Sequence, residues 1–271
     1  MQPVQGKWAV VLCGGRGSRM GPLTEDRPKP LIEVHGKPIL WYVFFSLYRH
    51  GIRNFVFPLG YKGTMIETYI LEVSRNLGCN VICVDTGEDS SIAFRILQIA
   101  PLLPDHVDFL LLNSDTIFDF DVDDMYRTHK AANALVTLSS VEVVSSWGLI
   151  LLRGDKLMGF DRERKVHRMI SKESPSLEGV VNSGLAWLNK DAFGVIDLKT
   201  CGDFETSLYS KLIEMGRAVH YRLKGCWFPI DSPKDLHIVN LSVDDRYASG
   251  HAARAVKDRL TFFERGNGDV S

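Results

Sequence analysis

The residues with the clearest chemical potential are crowded into one stretch, LCGGRGSRMGPLTEDRPKPLIEVHGKPIL, from Leu12 to Leu40. An apolar run leads into Gly14-Gly15-Arg16-Gly17-Ser18-Arg19, a turn whose glycines let backbone N–H groups approach anionic oxygens and line a nest for them. Ten residues beyond Arg19 stands Lys29, between Pro28 and Pro30. The prolines restrict the backbone there and hold a cation near the turn. Glycines alone would be equally at home in a structural turn. Together with a guanidinium and a braced ammonium they point to phosphate. The pattern is not a P-loop, because no Gly-Lys-Ser/Thr follows the glycines. It also departs from a dinucleotide fingerprint, since Met20-Gly21-Pro22 stands where a helix would open directly.

These residues need a frame. Short apolar runs at Trp8 to Leu12, Phe55 to Leu59, Val81 to Val84 and Phe109 to Leu112 read as buried strands. Amphipathic segments from Pro38 to Arg49, Lys62 to about Asn76 and Ser91 to Ala100 separate them, two of them closed by Gly51 and Gly78. Crossovers of that length return each strand parallel to the last. The expected fold is therefore α/β, a Rossmann-like, doubly wound, mostly parallel sheet. Ligands of such a sheet sit at the carboxyl ends of its strands. That rim would gather Gly14 to Arg19, Asp85 to Ser91 and Asn113 to Thr116. The second half is less regular, with strands read at Ala134 to Val141, Gly148 to Leu152, Val166 to Ile170 and Gly184 to Leu188. It continues with a helix from Glu205 to Met215 that stops at Gly216, a strand that leads to Cys226-Trp227-Phe228-Pro229-Ile230-Asp231, and a last helix opened by Pro233. A single domain over residues 1–247 is expected, its first half to about 130 and a smaller β-rich part over 131–247, with a polar tail at 248–271.

Composition sets outer bounds. Lys and Arg number 32 against 33 Asp and Glu, a net charge of -1, so neither nucleic acid nor an anionic membrane is favoured as a partner. Any phosphate chemistry must come from a local cluster. The five cysteines show no metal spacing and read as reduced thiols. The N-terminus lacks the layout of a secretory signal, and no apolar run reaches about 18 residues, so a cytoplasmic protein without a membrane span is expected.

The motif G-G-x-G-[ST]-R followed by P-K-P resembles the hallmark of the sugar-1-phosphate nucleotidyltransferases, and the likeness runs through roughly residues 7 to 240. His50-Gly51-Ile52, Gly60-Tyr61-Lys62-Gly63 and Val84-Asp85-Thr86-Gly87 are most similar to the glucose-1-phosphate cytidylyltransferase branch. Leu112-Asn113-Ser114-Asp115-Thr116 and Asp203-Phe204-Glu205 resemble instead the heptose-1-phosphate guanylyltransferase branch. The likeness implies a fold with a nucleotide-binding half and a smaller β-rich sugar-binding part. It also implies transfer of a nucleotidyl group from an NTP to a sugar 1-phosphate, with CTP favoured and GTP or dTTP as alternatives, in an Mg2+-dependent reaction releasing pyrophosphate. Homo-oligomers are common in the family.

What the likeness implies can be carried onto particular residues. Arg19 would contact the departing phosphates, for which a guanidinium fork is suited, and Lys29 would stabilise charge on the transferring phosphate. Leu12, Gly14, Gly15, Gly17 and Ser18 would cradle the nucleotide, with Thr86 and Gly87 on the base loop and Ser114 across from them. Asp115 and Asp231, the second in a W-x-P-x-D-[ST] context, would share the metal; a hard cation with few carboxylate ligands and phosphate oxygens suits magnesium. Taken alone, Asp231 before Pro233 could equally be a helix cap. Trp147-Gly148 and the Asn182-x-Gly184 element would lie along the sugar. Lys172 resembles the lysine of the family's E-K-P element, although Ser171 and Glu173 replace its flanking residues, and a solvated lysine is the competing reading. Glu205 matches a position used on sugar hydroxyls, or is simply first-turn helix charge.

Two features bear on the limits of the likeness. The cytidylyltransferase branch has a glycine pair where this chain has Ala93-Phe94, which alters how closely the backbone can approach a nucleotide. A catalytically silent relative would be expected to lose Arg19, Lys29, Asp115 or Asp231, and all four are present.

Overall fold

The computed structural model describes residues 6–241 except 145–148, 154, 162–164, 167–168 and 171–177. Seven strands form its main sheet: β1 (Trp8–Leu12), β2 (Asn54–Leu59), β3 (Asn80–Asp85), β4 (Asp108–Asn113), β6 (Val136–Val141), β7 (Val181–Asn189) and β8 (Ala218–Arg222). Their order is β3-β2-β1-β4-β7-β6-β8. Only β7 runs against the rest, pairing antiparallel with both β4 and β6. A sheet that is mostly parallel must be covered on both faces, and the residues of β1 show how. Ala9 and Val11 point into a core with helices α1 (Ile39–Arg49), α2 (Gly63–Ser74) and α4 (Val122–Ala131). Trp8 and Val10 point into the opposite core with α3 (Ile92–Ile99) and α5 (Phe204–Glu214). The period of two along one strand thus divides the chain's apolar residues between two layers.

The expected strands and helices of the first half are all present, with ends shifted by one or two residues. Helix α2 begins one residue later than read, because Lys62 adopts a left-handed conformation (φ 52°) and cannot enter it. A short 3₁₀ segment does follow the glycine turn, at Ser18–Thr24, but it kinks at Gly21 (φ 57°) and never becomes an α-helix. Several strands were not read from the sequence, among them Lys156–Asp161 and two that bear on the cleft. β5 (Thr116–Phe120) and β9 (Gly225–Pro229) pair antiparallel as a separate ribbon, just before helix α6 (Pro233–Leu241). Gly225 begins β9 at φ 136°, and a Cβ there would fall 1.9 Å from the Asp119 carbonyl oxygen, so the ribbon closes only on glycine.

The strand order reverses beside β1: the chain winds from β1 to β2 to β3, then crosses back to place β4 on the other flank. A crevice opens at the carboxyl ends of β1 and β4, the point where open α/β sheets bind their ligands. A third apolar cluster underlies this crevice, made of Met20, Ile32, Val34, Ile39, Trp41, Tyr42, Ile117, Ile230 and Val239. It joins the glycine-turn segment, the start of α1, the ribbon and α6. Each such buried side chain contributes about 2 kcal/mol of transfer free energy, which fixes residues far apart in the chain against one another.

Candidate active site

The crevice is a cleft of about 470 Å³. Its floor is the turn after β1. Gly17 stands at φ 65°, and a Cβ there would press on the Cβ of Lys29 at 2.9 Å, so the turn and the lysine's stem are packed together. Lys29 itself lies in a 3₁₀ turn, Lys29–Leu31, entered from the extended Pro28. The flanking prolines therefore do what their fixed φ suggests: they present one side chain inward.

That side chain is the centre of the cluster. Lys29 Nζ donates to Asp115 Oδ2 at 2.7 Å and to Asp231 Oδ1 at 2.8 Å, and only 9% of the lysine side chain is exposed. Arg19 reaches the other oxygen of Asp231 at 3.2 Å, with three quarters of its side chain in solvent. Asp115 and Asp231 are 116 residues apart in sequence, and the ribbon brings them together: Thr116 pairs with Pro229, and the Ile230 amide donates to the Asp115 carbonyl at 3.0 Å. The alternative reading of Asp231 as a helix cap does not hold. Asp235 Oδ2 accepts from the Asp231 and Ser232 amides and from the Ser232 hydroxyl, while the Asp235 amide donates back to Ser232 Oγ at 3.3 Å. Ser232 and Asp235 thus cap α6 reciprocally, and the Asp231 carboxylate faces the cleft.

Around this cluster, Leu12, Gly14, Gly15 and Ser114 line the cleft. The Ser114 hydroxyl donates to the Leu12 carbonyl at 2.8 Å and so ties the ends of β1 and β4. Ser18 is exposed at the start of the 3₁₀ segment. The loop after β3 presents Glu88, Asp89, Ser90 and Ile92 to the cleft rather than Thr86 and Gly87. Thr86 is 2% exposed, with its hydroxyl donating to the Leu59 carbonyl at 2.6 Å. Gly87 turns the chain at φ 87°, its amide held by Asp85 at 3.0 Å. Ala93 and Phe94 lie in the first turn of α3, where Ser91 caps the Phe94 amide. Arg16 spans the cleft mouth, pairing with Glu88 at 2.7 Å and Asp89 at 3.2 Å.

The N-x-G element is nearby. Asn182 Oδ1 accepts from the Gly184 amide at 3.1 Å, and a Cβ on Gly184 would sit 3.1 Å from Asn113 Nδ2, on the cleft wall. Trp227, from β9, donates its indole N–H to the Ser183 carbonyl at 2.9 Å, coupling this element to the strand that leads to Asp231. Glu205 is not part of the cleft lining. It stands in the first turn of α5, where burial and the charge of Asp203 raise its pKa above the usual carboxylate value. Trp147, Gly148 and Lys172 lie outside the described residues.

Arg95 escaped the sequence reading. It is 4% exposed, and its guanidinium donates to the carbonyls of Leu59 (2.9 Å), Gly14 (3.2 Å) and Glu88 (3.2 Å) and to the Thr86 hydroxyl. A Cβ on Gly14 would meet that guanidinium at 2.0 Å, so the first glycine of the turn is required by an arginine 81 residues away. The one available signal was an arginine at an otherwise apolar helical face, between Ala93 and Ile96.

Two carboxylates converging on one nitrogen, two cations and a glycine turn are groups chemically able to hold a hard cation and an anionic ligand. The nucleotidyl transferase family model matches residues 8–246. A probable glucose-1-phosphate cytidylyltransferase of Bacillus subtilis is 30% identical over 86% of this chain and 94% of its own length. The mannose-1-phosphate guanylyltransferase catalytic subunit beta of Danio rerio is 28% identical over 84% of this chain and 62% of that longer protein. In fold, the chain is similar to a candidate glucose-1-phosphate thymidylyltransferase of Bacillus anthracis, with a TM-score of 0.66 at 17% identity, covering 87% of this chain and 94% of that one. HddC of Yersinia pseudotuberculosis, solved with GMP-PN, gives a TM-score of 0.58 at 19% identity over 88% and 99% of the two chains. The chain belongs to the nucleotidyl transferase family.

Proposed function

We propose that this enzyme transfers a nucleotidyl group from an NTP, CTP first, to a sugar 1-phosphate. A phosphate oxygen of the sugar 1-phosphate attacks the α-phosphorus, the bond from that phosphorus to the oxygen bridging to the β-phosphate breaks, and pyrophosphate leaves with the electron pair. A phosphate monoester is already a nucleophile at neutral pH, so the residues need to position and neutralise charge more than move protons.

The observation that carries this reading is the Lys29–Asp115–Asp231–Arg19 cluster beside the glycine turn. Its formal charges cancel, so it cannot alone neutralise a triphosphate and a sugar phosphate. A divalent cation supplies the missing charge, and Asp115 and Asp231 are the residues that would hold it, as oxygen donors directed at one point. Magnesium is the ion we propose, because it takes one or two carboxylates beside phosphate oxygens. Lys29 then neutralises charge on the transferring phosphate and Arg19 binds the departing pyrophosphate. The turn from Leu12 to Ser18, with Ser114, cradles the nucleotide, while Thr86 and Gly87 shape the base loop. Asn182 and Gly184 serve the sugar side, as do Glu205, Trp147, Gly148 and Lys172 by resemblance alone.

Preference for CTP rests on the cytidylyltransferase named among the relatives, identical at 30% of aligned positions. A panel of CTP, GTP, dTTP, UTP and ATP crossed with hexose and heptose 1-phosphates, read by Mg2+-dependent pyrophosphate release, tests the whole reading. The expected outcome is highest turnover with CTP. Highest turnover with GTP or dTTP would correct the base, and no release with any pair would indicate a silent relative.

A further inference from the structure

Arg95 presents an energetic problem that the arrangement just described leaves open. Its side chain is almost wholly buried, yet among the described residues no carboxylate lies within ion-pair distance of it. Its acceptors are three backbone carbonyls and one hydroxyl, all neutral. Asp85 acts on it through space, but its carboxylate is engaged with the Gly87 amide. Cys13 beside it stays a neutral thiol, with burial pushing its pKa up to about 12. Burying a charge without a counter-charge is costly, and an arginine does not escape by losing its proton. Hydrogen bonds to carbonyls reduce this cost without removing it.

The same guanidinium lies on the wall of the cleft, directly beneath Gly14. We propose that Arg95 is a positioning residue that acts as the permanent counter-charge of this cleft: it holds the glycine turn by the Gly14 carbonyl, and the anion bound above the turn completes its neutralisation. The inference rests on the reading of the cleft as a phosphate site. In a water-poor wall a full charge acts over several ångströms with little screening, so the effect does not require contact. It also accounts for the absence of a side chain at Gly14, since a Cβ there would displace the charge.

Charge and hydrogen bonding can be separated by two substitutions. Arg95→Lys keeps the charge and loses most of the donors; Arg95→Gln keeps amide donors and loses the charge. The probe is inorganic tripolyphosphate, titrated calorimetrically into the full chain, with circular dichroism confirming each variant's fold. Arg95→Gln is expected to weaken binding at least about tenfold, the equivalent of 1.4 kcal/mol, while Arg95→Lys stays within about threefold of the parent. The KM for the NTP should rise in parallel in Arg95→Gln, with kcat changing less. Equal binding by the two variants, or tighter binding by Arg95→Gln, overturns the proposal in favour of a purely structural arginine. Should Arg95→Gln fail to fold, a loss beyond tenfold in Arg95→Lys overturns it as well. A parent protein that binds no tripolyphosphate fails the phosphate reading of the cleft instead, which is a different result.

Discussion

Strand β4 carries an aspartate at its first residue and another two residues past its last, and the two meet opposite fates. Asp115, at the carboxyl end, accepts from Lys29 and from its neighbour Thr116, and a quarter of its side chain is exposed. Asp108, at the amino end, is 6% exposed and accepts from Lys130 at 2.8 Å, Asn189 at 2.7 Å and Tyr126 at 3.2 Å, with His129 Nε2 at 3.4 Å. Both are carboxylates paired with a lysine. The difference is saturation: every oxygen of Asp108 is used by the fold, whereas Asp115 and Asp231 share one ammonium and can accept more. A carboxylate whose lone pairs are filled by its own chain holds elements together. One held in place with lone pairs to spare is available to a cation and its ligand.

If the contrast is right, the two ends respond differently to the same change. The largest effect is expected from Asp115→Ala or Asp231→Ala. Each should lower pyrophosphate release by about a thousandfold, roughly 4 kcal/mol in the barrier, with the thermal midpoint little changed. Normal turnover by either variant would sink the metal assignment.

Asp108→Ala should do the reverse. Removing one partner of a buried ion pair costs about 3 kcal/mol of stability, measured by denaturant unfolding, while turnover per folded molecule is retained. Its pH dependence has a defined sign. Burial opposes the charge on Asp108, but the adjacent His129 ring and the hydrogen bonds from Lys130 and Asn189 outweigh it and hold the pKa well below the usual carboxylate range. A carboxyl with a depressed folded-state pKa adds stability above its unfolded pKa of about 3.9, and loses it as pH falls toward the folded value. The gap between parent and Asp108→Ala should therefore be full at pH 6 and shrink below about pH 4. A gap that widened on acidification would contradict the buried-anion account.

The smallest effect sharpens the comparison at Asp231. Ser232→Ala removes half of the reciprocal cap on α6 and should cost about 1 kcal/mol of stability. Because Asp231 is not the cap, turnover should fall no more than about twofold; a loss as large as that of Asp231→Ala would mean that the cap and the carboxylate act as one unit.

Much of this was legible in the residues themselves, and the reason differs from case to case. The strands of the first half announce themselves because burial on both faces demands uninterrupted apolar runs, as in Trp8 to Leu12. Helix ends are carried by one or two residues, such as Ser91 and Gly51. The Gly14–Arg19 turn and Lys29 were readable because backbone permissiveness and proline restraint act over a few residues. The ribbon of β5 and β9 was not, since Thr116–Phe120 follows β4 so closely that it reads as its continuation or as a loop. Arg95 was hidden because a charge within a helix is ordinarily solvated, and nothing local marks one that turns inward.

By itself, then, the sequence determined the α/β architecture, the glycine turn after the first strand and the identity of four charged residues, because sterics, capping and period-two or period-3.6 burial are settled within a few residues. Only the tertiary structure decided that Asp115 and Asp231 converge on Lys29 across 116 residues, that Asp108 is saturated, and that Arg95 lies beneath Gly14. Those outcomes depend on apolar clusters assembled from the whole chain, whose summed burial outweighs any local preference and sets which distant side chains come within hydrogen-bonding reach.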